Sequence, residues 1–300
     1  MDTNSKLSNN TAVILVSHGS SLPYGEETFS EIKEKFIKKT GLATEVGYMK
    51  VSSPSIAGAV ENLKAEVDDL NRIIAIPVFL APGIHTKIDI PILLGLDPLE
   101  EDPRCPDGNY PDDHYLSIAD DVDFDGEIRL LSPIGPADDL LYIIDKRIDE
   151  ALSDSKLADD SKTGVLLVSH GSRLNYNREF ISELFDKFDA KHDYSATFGF
   201  MELCEPSIPV SINKLALEND IDRLIVVPVF IASGVHTTHD IPHILGLLES
   251  HEHSHSHDHG HDHHHDLTPV EFDGEILYPN PIGADDILID ILVKMVRNAL

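Results

Sequence analysis

Residues 11–24 read TAVILVSHGSSLPY and residues 163–176 read TGVLLVSHGSRLNY, so ten of fourteen positions are identical. A second pair of stretches agrees in the same way. Residues 72–96, RIIAIPVFLAPGIHTKIDIPILLGL, and residues 223–247, RLIVVPVFIASGVHTTHDIPHILGL, share fifteen of twenty-five positions. A repeat of about 150 residues is far longer than the roughly 20 to 50 residues of solenoid units, so each copy is expected to be a whole domain.

The repeat predicts two globular domains, and the 41% hydrophobic content lets each of them bury a core. We predict a first domain over residues 1–155 and a second over residues 156–300, joined by a linker at residues 151–162. An acidic insertion at about residues 97–125 interrupts the first copy, and we expect it to be little more than a loop. A histidine-rich insertion at about residues 250–266 interrupts the second copy.

Apolar runs and amphipathic stretches alternate along each copy, which is typical of strands followed by helices. In the first copy we predict strands at residues 13–16, 44–49, 73–79 and 127–131 and helices at residues 26–39, 55–67 and 137–148. In the second copy we predict strands at residues 165–168, 196–201, 224–230 and 275–278. The pattern favours an α/β fold of two tandem similar domains, each a mainly four-stranded parallel sheet with helices on both faces.

Composition excludes several classes of protein. A formal charge of -30 argues against a nucleic-acid partner, because phosphate binding needs a clustered basic face. The longest apolar stretch, residues 73–84, is too short to cross a bilayer, so no membrane partner is expected. The polar N-terminal residues do not resemble a signal peptide, and two cysteines cannot form a disulfide framework, which together favour a cytoplasmic protein.

Four histidines, His18, His85, His170 and His236, stand after apolar strands at matching places in the two copies. In open parallel sheets ligands bind beyond the carboxyl ends of the strands, so these histidines are expected to line such a crevice. A histidine at a strand end is often held only by a nearby carbonyl group. Two in each copy instead indicate a site for a borderline transition metal rather than Mg²⁺ or Ca²⁺.

A series of motifs in the second half resembles the sirohydrochlorin chelatases of the small archaeal type, which insert Co²⁺ or Ni²⁺ into sirohydrochlorin. The series is SHGS at residues 169–172, MELCEPSIP at 201–209, PVFIASGVHTTHDIP at 228–242, a His-rich insertion, and PIGADD at 281–286. The first half matches over SHGS, SSPSI, PVFLAPGIHTKIDIP and PIGPADD, so the chain resembles a fusion of two such units.

The resemblance implies a metal chelatase, a lyase, that acts in cobalamin or coenzyme F430 biosynthesis. It implies the chelatase (class II) fold, no prosthetic cofactor, and sirohydrochlorin with Co²⁺ or Ni²⁺ as the substrates. Short members of the family are homodimers with the active site between subunits. One chain here is therefore expected to form a pseudo-dimer, with His18 and His85 facing His170 and His236.

Metal insertion needs a site that holds the metal loosely and removes two pyrrole protons, and histidines can do both. We assign catalysis to His18, His170 and Glu202, and metal binding to all four strand-end histidines. The resemblance places an acidic residue at the position of Glu202.

Sirohydrochlorin carries eight carboxylates, so the acidic chain must supply positive or N–H-rich groups near them. The candidates for substrate binding are Lys50, Ser53, Arg173, Gly83 and Gly234, supported by Lys87, Arg178 and the helix N-termini near Ser53 and Glu205. Lys50 takes the place of Glu202 in the first copy. This exchange is either drift at a surface position or a division of labour, in which the second half keeps the acid for the metal and Lys50 holds a carboxylate.

Residues 250–266 read SHEHSHSHDHGHDHHHD, a low-complexity tract that cannot build a core. Its auxiliary metal ligands are expected to be His251, His253, His255, His257, His259, His261, His263, His264 and His265. One interpretation is a solvated loop that binds metal adventitiously. The other is an arm that raises the local concentration of Ni²⁺ or Co²⁺.

Two other functional classes fit parts of the sequence. Histidine phosphatases also carry a histidine after a strand, but they have RHG where this chain has Ser17 or Ser169. A non-enzymatic nickel or cobalt store or metallochaperone would use the histidine tract as its working part. Binding of the tetrapyrrole separates a chelatase from such a store.

Overall fold

The computed structural model describes residues 10–20, 22–106, 108–248 and 268–300 of the chain. In these residues the two sequence repeats form two four-stranded parallel sheets, each covered by helices, which confirms the predicted fold class. No helix in the described ranges is both long enough and apolar enough to cross a membrane.

In its described residues, the first repeat contains four strands, five α-helices and one π-helical turn. They are β1 (Thr11–Ser17), α1 (Pro23–Thr40), β2 (Thr44–Tyr48), α2 (Ile56–Glu66), β3 (Arg72–Pro77), the π-turn at His85–Asp89, α3 (Ile90–Leu93), α4 (Tyr115–Ile118), β4 (Glu127–Leu130) and α5 (Asp139–Ser153). The strands lie in the order β2-β1-β3-β4. Every residue of β1 is buried, as expected for a central parallel strand.

The second repeat has the same order of strands, β6-β5-β7-β8. Its elements are β5 (Thr163–Ser169), α6 (Asn175–Asp189), β6 (Ser195–Phe200), α7 (Ile208–Glu218), β7 (Arg223–Pro228), the π-turn at His236–Asp240, α8 (Ile241–Ile244), β8 (Glu275–Leu277) and α9 (Asp286–Ala299). All strands in each sheet are parallel, so their carboxyl ends meet at one edge.

Helix α1 shows why the local sequence folds as predicted. Phe29, Ile32 and Phe36 recur on one face and are buried. Gly41 ends the helix at φ 70, a left-handed conformation that favours glycine, and its N–H donates to the carbonyl of Ile37 at 2.7 Å. The predicted helix is therefore confirmed and is slightly longer than expected.

The last helix of each repeat belongs to the other compact unit. One unit comprises the described residues up to Asp139 together with Ala284–Leu300, and the other comprises Leu140–Gly283. Within the first unit, Lys39 Nζ of α1 binds Asp290 Oδ1 of α9 at 2.6 Å. Within the second, Lys191 Nζ binds Asp145 Oδ2 of α5 at 2.6 Å. The predicted domain boundary between residues 155 and 156 thus follows the sequence repeat. The compact units differ from it because α5 belongs to the second unit and α9 to the first.

Two local expectations were wrong. The predicted linker at residues 151–162 starts too early, because α5 continues to Ser153 and buries Ile148 and Ala151. The acidic insertion at residues 97–125 is more than a loop. It contains α4, buries Leu116 in the core of the first unit, and places Tyr110, Tyr115 and Phe124 against that core.

Candidate functional site

His18 and His170 lie at the carboxyl ends of the central strands β1 and β5. Each of them contacts a residue that lies just beyond the neighbouring strand. The carbonyl of His18 accepts the N–H of Lys50 at 3.3 Å, and the carbonyl of His170 accepts the N–H of Glu202 at 3.1 Å. The strand pairing therefore places Lys50 and Glu202 at equivalent positions next to a histidine, as the sequence alignment predicted.

The glycine after each of these histidines makes this approach possible. Gly19 and Gly171 have φ angles of 89 and 94, and a Cβ on either residue would overlap the carbonyl oxygen of Lys50 or Glu202. Only glycine combines the left-handed backbone with this lack of bulk. The SHGS motif thus has a structural reason in both repeats.

The two histidines predicted for each repeat are close together. The ring centroids of His18 and His85 are 5.0 Å apart, and those of His170 and His236 are 4.9 Å apart. With a metal–nitrogen bond of about 2.1 Å, two imidazoles that share one ion have centroids no more than roughly 6.4 Å apart. Both pairs therefore fit the joint binding of one substrate metal ion.

Hydrogen bonds at Nδ1 orient all four rings. His18 and His170 contact the carbonyls of Gly19 and Gly171 through Nδ1 at 3.0 Å. A carbonyl only accepts, so Nδ1 must donate and the lone pair lies on Nε2. His85 Nδ1 lies 2.5 Å from Asp89 Oδ2, and His236 Nδ1 lies 2.8 Å from Asp240 Oδ2. A carboxylate behind an imidazole fixes its tautomer and increases its basicity, as in many metal sites.

Glu202 adds a negative charge to the histidine pair of the second repeat. Its Oε1 lies 3.5 Å from His170 Nε2, and its side chain is 20% exposed. Because Nε2 carries a lone pair when Nδ1 donates, the two electron-rich atoms repel each other unless a proton or a cation lies between them. This geometry suits a site that exchanges a metal ion and protons.

Asn177, on α6, holds the segment around His170 from both sides. Its Oδ1 accepts hydrogen bonds from Ser169 Oγ and from the backbone N–H of Gly171, each at 3.0 Å. The corresponding residue of the first repeat is Gly25. The second repeat therefore has a fixed His170 segment, and the first repeat lacks this side chain.

The first repeat instead surrounds its histidine pair with a charged network supplied by the insertion. Asp89 is fully buried and is bound by His85 and by the guanidinium of Arg104. Burial alone would raise the pKa of Asp89, but the bonds from His85 and Arg104 outweigh it and lower that pKa. Arg104 Nε also donates to Asp102 Oδ1 at 3.0 Å, and Tyr110 donates to Asp102 at 2.7 Å.

Lys50 lies in this network rather than in open solvent. Its Nζ lies 5.2 Å from the centre of the Tyr115 ring, and burial lowers its pKa while the charge of Asp89 opposes that effect. Lys50 and Arg104 balance the two carboxylates of Asp89 and Asp102. In the second repeat, Glu202 and Asp240 face histidines, so that site is the more negative and the better suited to a divalent cation.

The remaining predicted substrate residues line the same loops. Ser53 and Arg173 are exposed, and a Cβ added to Gly83 or Gly234 would meet nothing within 4 Å. Lys87 pairs with Glu100 at 3.2 Å.

The predicted helix N-termini lie slightly further along the chain. Helix α2 begins at Ile56, and its cap is Ser55, which accepts the N–H of Gly58 at 3.1 Å. Helix α7 begins at Ile208 rather than near Glu205. The N-termini expected near Ser53 and Glu205 thus lie three residues before the observed helix starts, whereas the helix predicted over residues 55–67 starts one residue early.

The histidine tract at residues 250–266 lies outside the described residues, and its predicted ligands stay a prediction. Within the described ranges, no group of three or more His, Cys, Asp or Glu side chains is arranged as a metal cage. The second repeat therefore presents a histidine pair with a nearby acid, an arrangement suited to a metal that must leave again.

Sequence reasoning missed three kinds of site residue. Asp89 and Asp240 carry a detectable signal, because each stands four residues after a site histidine in both repeats, and this spacing brings side chains together on a helical turn. Arg104 and Asn177 carry no such signal, since each occurs in one repeat and reaches the site only through the fold.

Curated relatives each match about half of the chain. The sirohydrochlorin cobaltochelatase of Methanothermobacter thermautotrophicus is 46% identical over 147 residues, which is 49% of this chain and 99% of that protein. The protein of the same name from Methanopyrus kandleri is 48% identical over 138 residues, 45% of this chain and 96% of its own length.

Solved structures show the same fold. SirB from Bacillus subtilis, solved with Fe³⁺, superposes with a TM-score of 0.66 at 14% identity over 96% of this chain and 95% of its own. A CbiX structure, named as the terminal enzyme of siroheme biosynthesis in denitrifying bacteria, gives 0.57 at 18% identity over 96% of this chain and 99% of its own. The sequence pattern of the CbiX family matches residues 12–151 and again residues 164–299. The resemblance inferred from the motifs is thus confirmed, and the chain belongs to the CbiX family of chelatases as two tandem units.

Proposed function

We propose that the chain is a sirohydrochlorin chelatase that inserts Co²⁺ or Ni²⁺ into the tetrapyrrole, with the second repeat as its metal-handling half. The observation that carries this proposal is the pair His170 and His236 with Glu202 3.5 Å from His170 Nε2. The curated relatives named sirohydrochlorin cobaltochelatases support the substrate and the reaction type.

The reaction exchanges two protons for one metal ion. The two pyrrole N–H bonds break, four ring nitrogens bind the metal, and two protons leave to bases. His236, with Asp240 behind its Nδ1, holds the incoming ion through Nε2. His170 and Glu202 share the binding of the ion and accept protons as it leaves, since imidazole and carboxylate are bases once the cation has gone.

Apolar side chains beside the site suit the flat face of a macrocycle. Leu203 follows Glu202 with a φ of 62 and is 54% exposed, and Val51 follows Lys50 with a φ of 69 and is 70% exposed. A left-handed backbone at a non-glycine residue costs about 1 to 3 kcal/mol, and such strain is concentrated at functional sites. Both repeats thus present a strained apolar residue next to the histidine pair.

The first repeat is assigned to binding substrate carboxylates. Lys50 and Arg104 introduce two cations beside His18 and His85, which reduces the attraction of that pair for a divalent ion. A cation in place of Glu202 suits the carboxylate-rich rim of sirohydrochlorin. The assignment of Ser53, Arg173, Gly83 and Gly234 to the same rim, and the pairing of the two sites across one cleft, stay predictions.

The histidine tract is assigned to collection of metal, with cobalamin or coenzyme F430 synthesis as the pathways that would use the product. The alternative of a metal store without catalysis receives no support from relatives that carry the name of an enzyme. Metal storage alone also does not explain the strained apolar residues Val51 and Leu203.

The deciding experiment is an anaerobic absorbance assay with sirohydrochlorin and Co²⁺, Ni²⁺ or Fe²⁺ in turn. The variant His170→Ala with His236→Ala should insert metal on the order of 10²-fold more slowly, the loss typical of a removed acid–base group. The matched control is His18→Ala with His85→Ala, which should lose less. Full activity in the first variant, or a greater loss in the control, would refute the assignment of the two repeats.

A further inference from the structure

Two histidines that the reaction does not use stand together beside the second site. His239 is the fourth residue of the π-turn, and His243 lies on α8, four residues later. Their rings are nearly parallel, with an angle of 8° between the planes and 6.1 Å between the centroids. The side chain of His239 is 67% exposed, and His243 is also exposed.

The same positions of the first repeat hold isoleucines. Ile88 is buried, and Ile92 packs against the core of its unit. The second repeat therefore carries two imidazoles where the first has two apolar side chains, at a spacing that places them on the same side of a helical turn. Histidines four residues apart on a helix form a familiar pair of metal ligands.

Asp240 orients His239 and connects it to the catalytic pair. Its Oδ1 lies 3.1 Å from His239 Nδ1, and its Oδ2 lies 2.8 Å from His236 Nδ1. A carboxylate bound to Nδ1 leaves the lone pair of His239 on Nε2, the atom that a metal would bind. One carboxylate therefore separates His239 from the imidazole that handles the substrate metal.

We propose that His239 and His243 form a separate, solvent-accessible binding site for a borderline divalent transition metal such as Ni²⁺ or Co²⁺. Their centroids are 6.1 Å apart, whereas two imidazoles reach roughly 6.4 Å only from opposite sides of one ion, so the two parallel rings must turn to bind the ion jointly. Both rings are exposed, so their χ angles can adjust without moving packed neighbours. Water fills the remaining positions, which makes the site weak and easily emptied.

The position of this pair beside His236 makes it an entry site for metal on its way to the catalytic pair. This entry role rests on the proposed chelatase function, whereas the binding itself does not. In the sequence, the first histidine of the tract, His251, follows His243 by eight residues. Metal collected by the tract would thus be released only a few residues in sequence from His243.

Residue-resolved modification of the full-length chain tests the binding without any tetrapyrrole. Diethyl pyrocarbonate modifies accessible imidazoles, and tandem mass spectrometry of the fragments scores each histidine separately. Free Ni²⁺ or Co²⁺ is set by a metal buffer, so uptake by the tract does not change its concentration. In the wild-type chain both metals should protect His239 and His243 together.

Single variants show whether the two histidines bind one ion together or bind ions separately. His243→Asn should raise the Ni²⁺ concentration that protects His239 by at least about tenfold, because the second ligand acts at a high effective concentration. His239→Asn should do the same to His243. The matched control is His114→Asn, a change at a histidine of the first unit, which should leave both protection curves unchanged. A protection curve of His239 that does not move in His243→Asn overturns the site.

A second arm tests the entry role separately. In the insertion assay, His239→Asn with His243→Asn should raise the buffered metal concentration at half-maximal rate by a few fold. Protection in the wild type combined with an unmoved half-maximal concentration would overturn the entry role and leave the metal site in place. If the chain inserted no metal at all, the proposed function would fail while the protection experiment could still succeed.

Discussion

Replacement of Glu202 by glutamine should weaken the use of the substrate metal while leaving the shape of the site intact. Glutamine keeps the size and the hydrogen-bonding oxygen of glutamate but removes its charge. In the wild type the Glu202 carboxylate lies 3.5 Å from His170 Nε2, close enough to bind an ion held by that nitrogen. The change therefore tests electrostatic attraction rather than packing.

The size of the effect follows from the charge and the surroundings. Two unit charges 4 Å apart attract by about 1 kcal/mol in water and about 4 kcal/mol at an effective dielectric constant of 20, and a divalent ion doubles both figures. The side chain of Glu202 is 20% exposed, so the value for water is a lower limit. A loss of about 2 kcal/mol corresponds to about thirtyfold weaker binding of the metal.

The assay is the initial rate of insertion as a function of buffered Co²⁺ or Ni²⁺ at saturating sirohydrochlorin. Glu202→Gln should shift the half-maximal metal concentration upward by about thirtyfold or more, with tetrapyrrole binding nearly unchanged. The matched control is Lys50→Gln at the equivalent position of the first repeat. It should weaken the binding of sirohydrochlorin and leave the metal dependence in place.

Two results would refute this reasoning. An unchanged metal dependence in Glu202→Gln would show that the carboxylate does not attract the ion. Tighter or unchanged sirohydrochlorin binding in Lys50→Gln would show that Lys50 does not hold a substrate carboxylate, and the exchange of acid for base between the repeats would then have no functional role.

Three further predictions concern residues outside the histidine pairs. Asn177→Gly installs the residue found in the first repeat and should lower the maximal rate by about tenfold, because two hydrogen bonds around His170 are lost. Partial rescue by Asn177→Asp with unchanged sirohydrochlorin affinity would show a positioning role. A wild-type rate in Asn177→Gly would exclude that role. Asp102→Asn should lower the free energy of unfolding by about 1 to 3 kcal/mol, since it removes charged hydrogen bonds to Arg104. The hydrogen bonds from Arg104 hold the pKa of Asp102 well below its usual 3.8. The difference in unfolding free energy between wild type and variant should therefore be full above about pH 4 and vanish as the pH falls through the lowered pKa. Denaturant melts that show the same difference at every pH would contradict this. Replacing the histidines of residues 251–265 by serine should leave the rate at saturating metal unchanged and lower it when metal is scarce, most clearly above about pH 6.5, where imidazoles are neutral; equal losses at both concentrations would place the tract in the active site.

The order of strands and helices was readable from the sequence because each element depends on local patterns. Buried parallel strands need continuous apolar runs, and α1 needs one apolar face and a glycine at its end, so both could be predicted within a few residues. Because the repeat is duplicated, each site histidine could be recognised at matching places in both copies. Their common position after central strands then predicted their proximity, since parallel strands end at one edge.

The exchange of α5 and α9 between the compact units was decided only by the tertiary structure. The apolar face of such a helix shows that it must be covered but not which of two homologous repeats covers it. The role of the acidic insertion was hidden for a related reason. Arg104 is remote from His85 in the sequence, and its contact with Asp89 depends on the path of a segment without regular periodicity.

By itself, the sequence determined the duplicated α/β architecture, the family and the four histidines, because these depend on periodic burial and on repeated motifs. The sequence also showed the exchange of Glu202 for Lys50 between the two sites, but only the tertiary structure completed the difference between them. It brought Arg104 to the histidine pair beside Lys50 and Asn177 to the pair beside Glu202, and charge balance depends on which side chains meet in space rather than on which residues the chain contains.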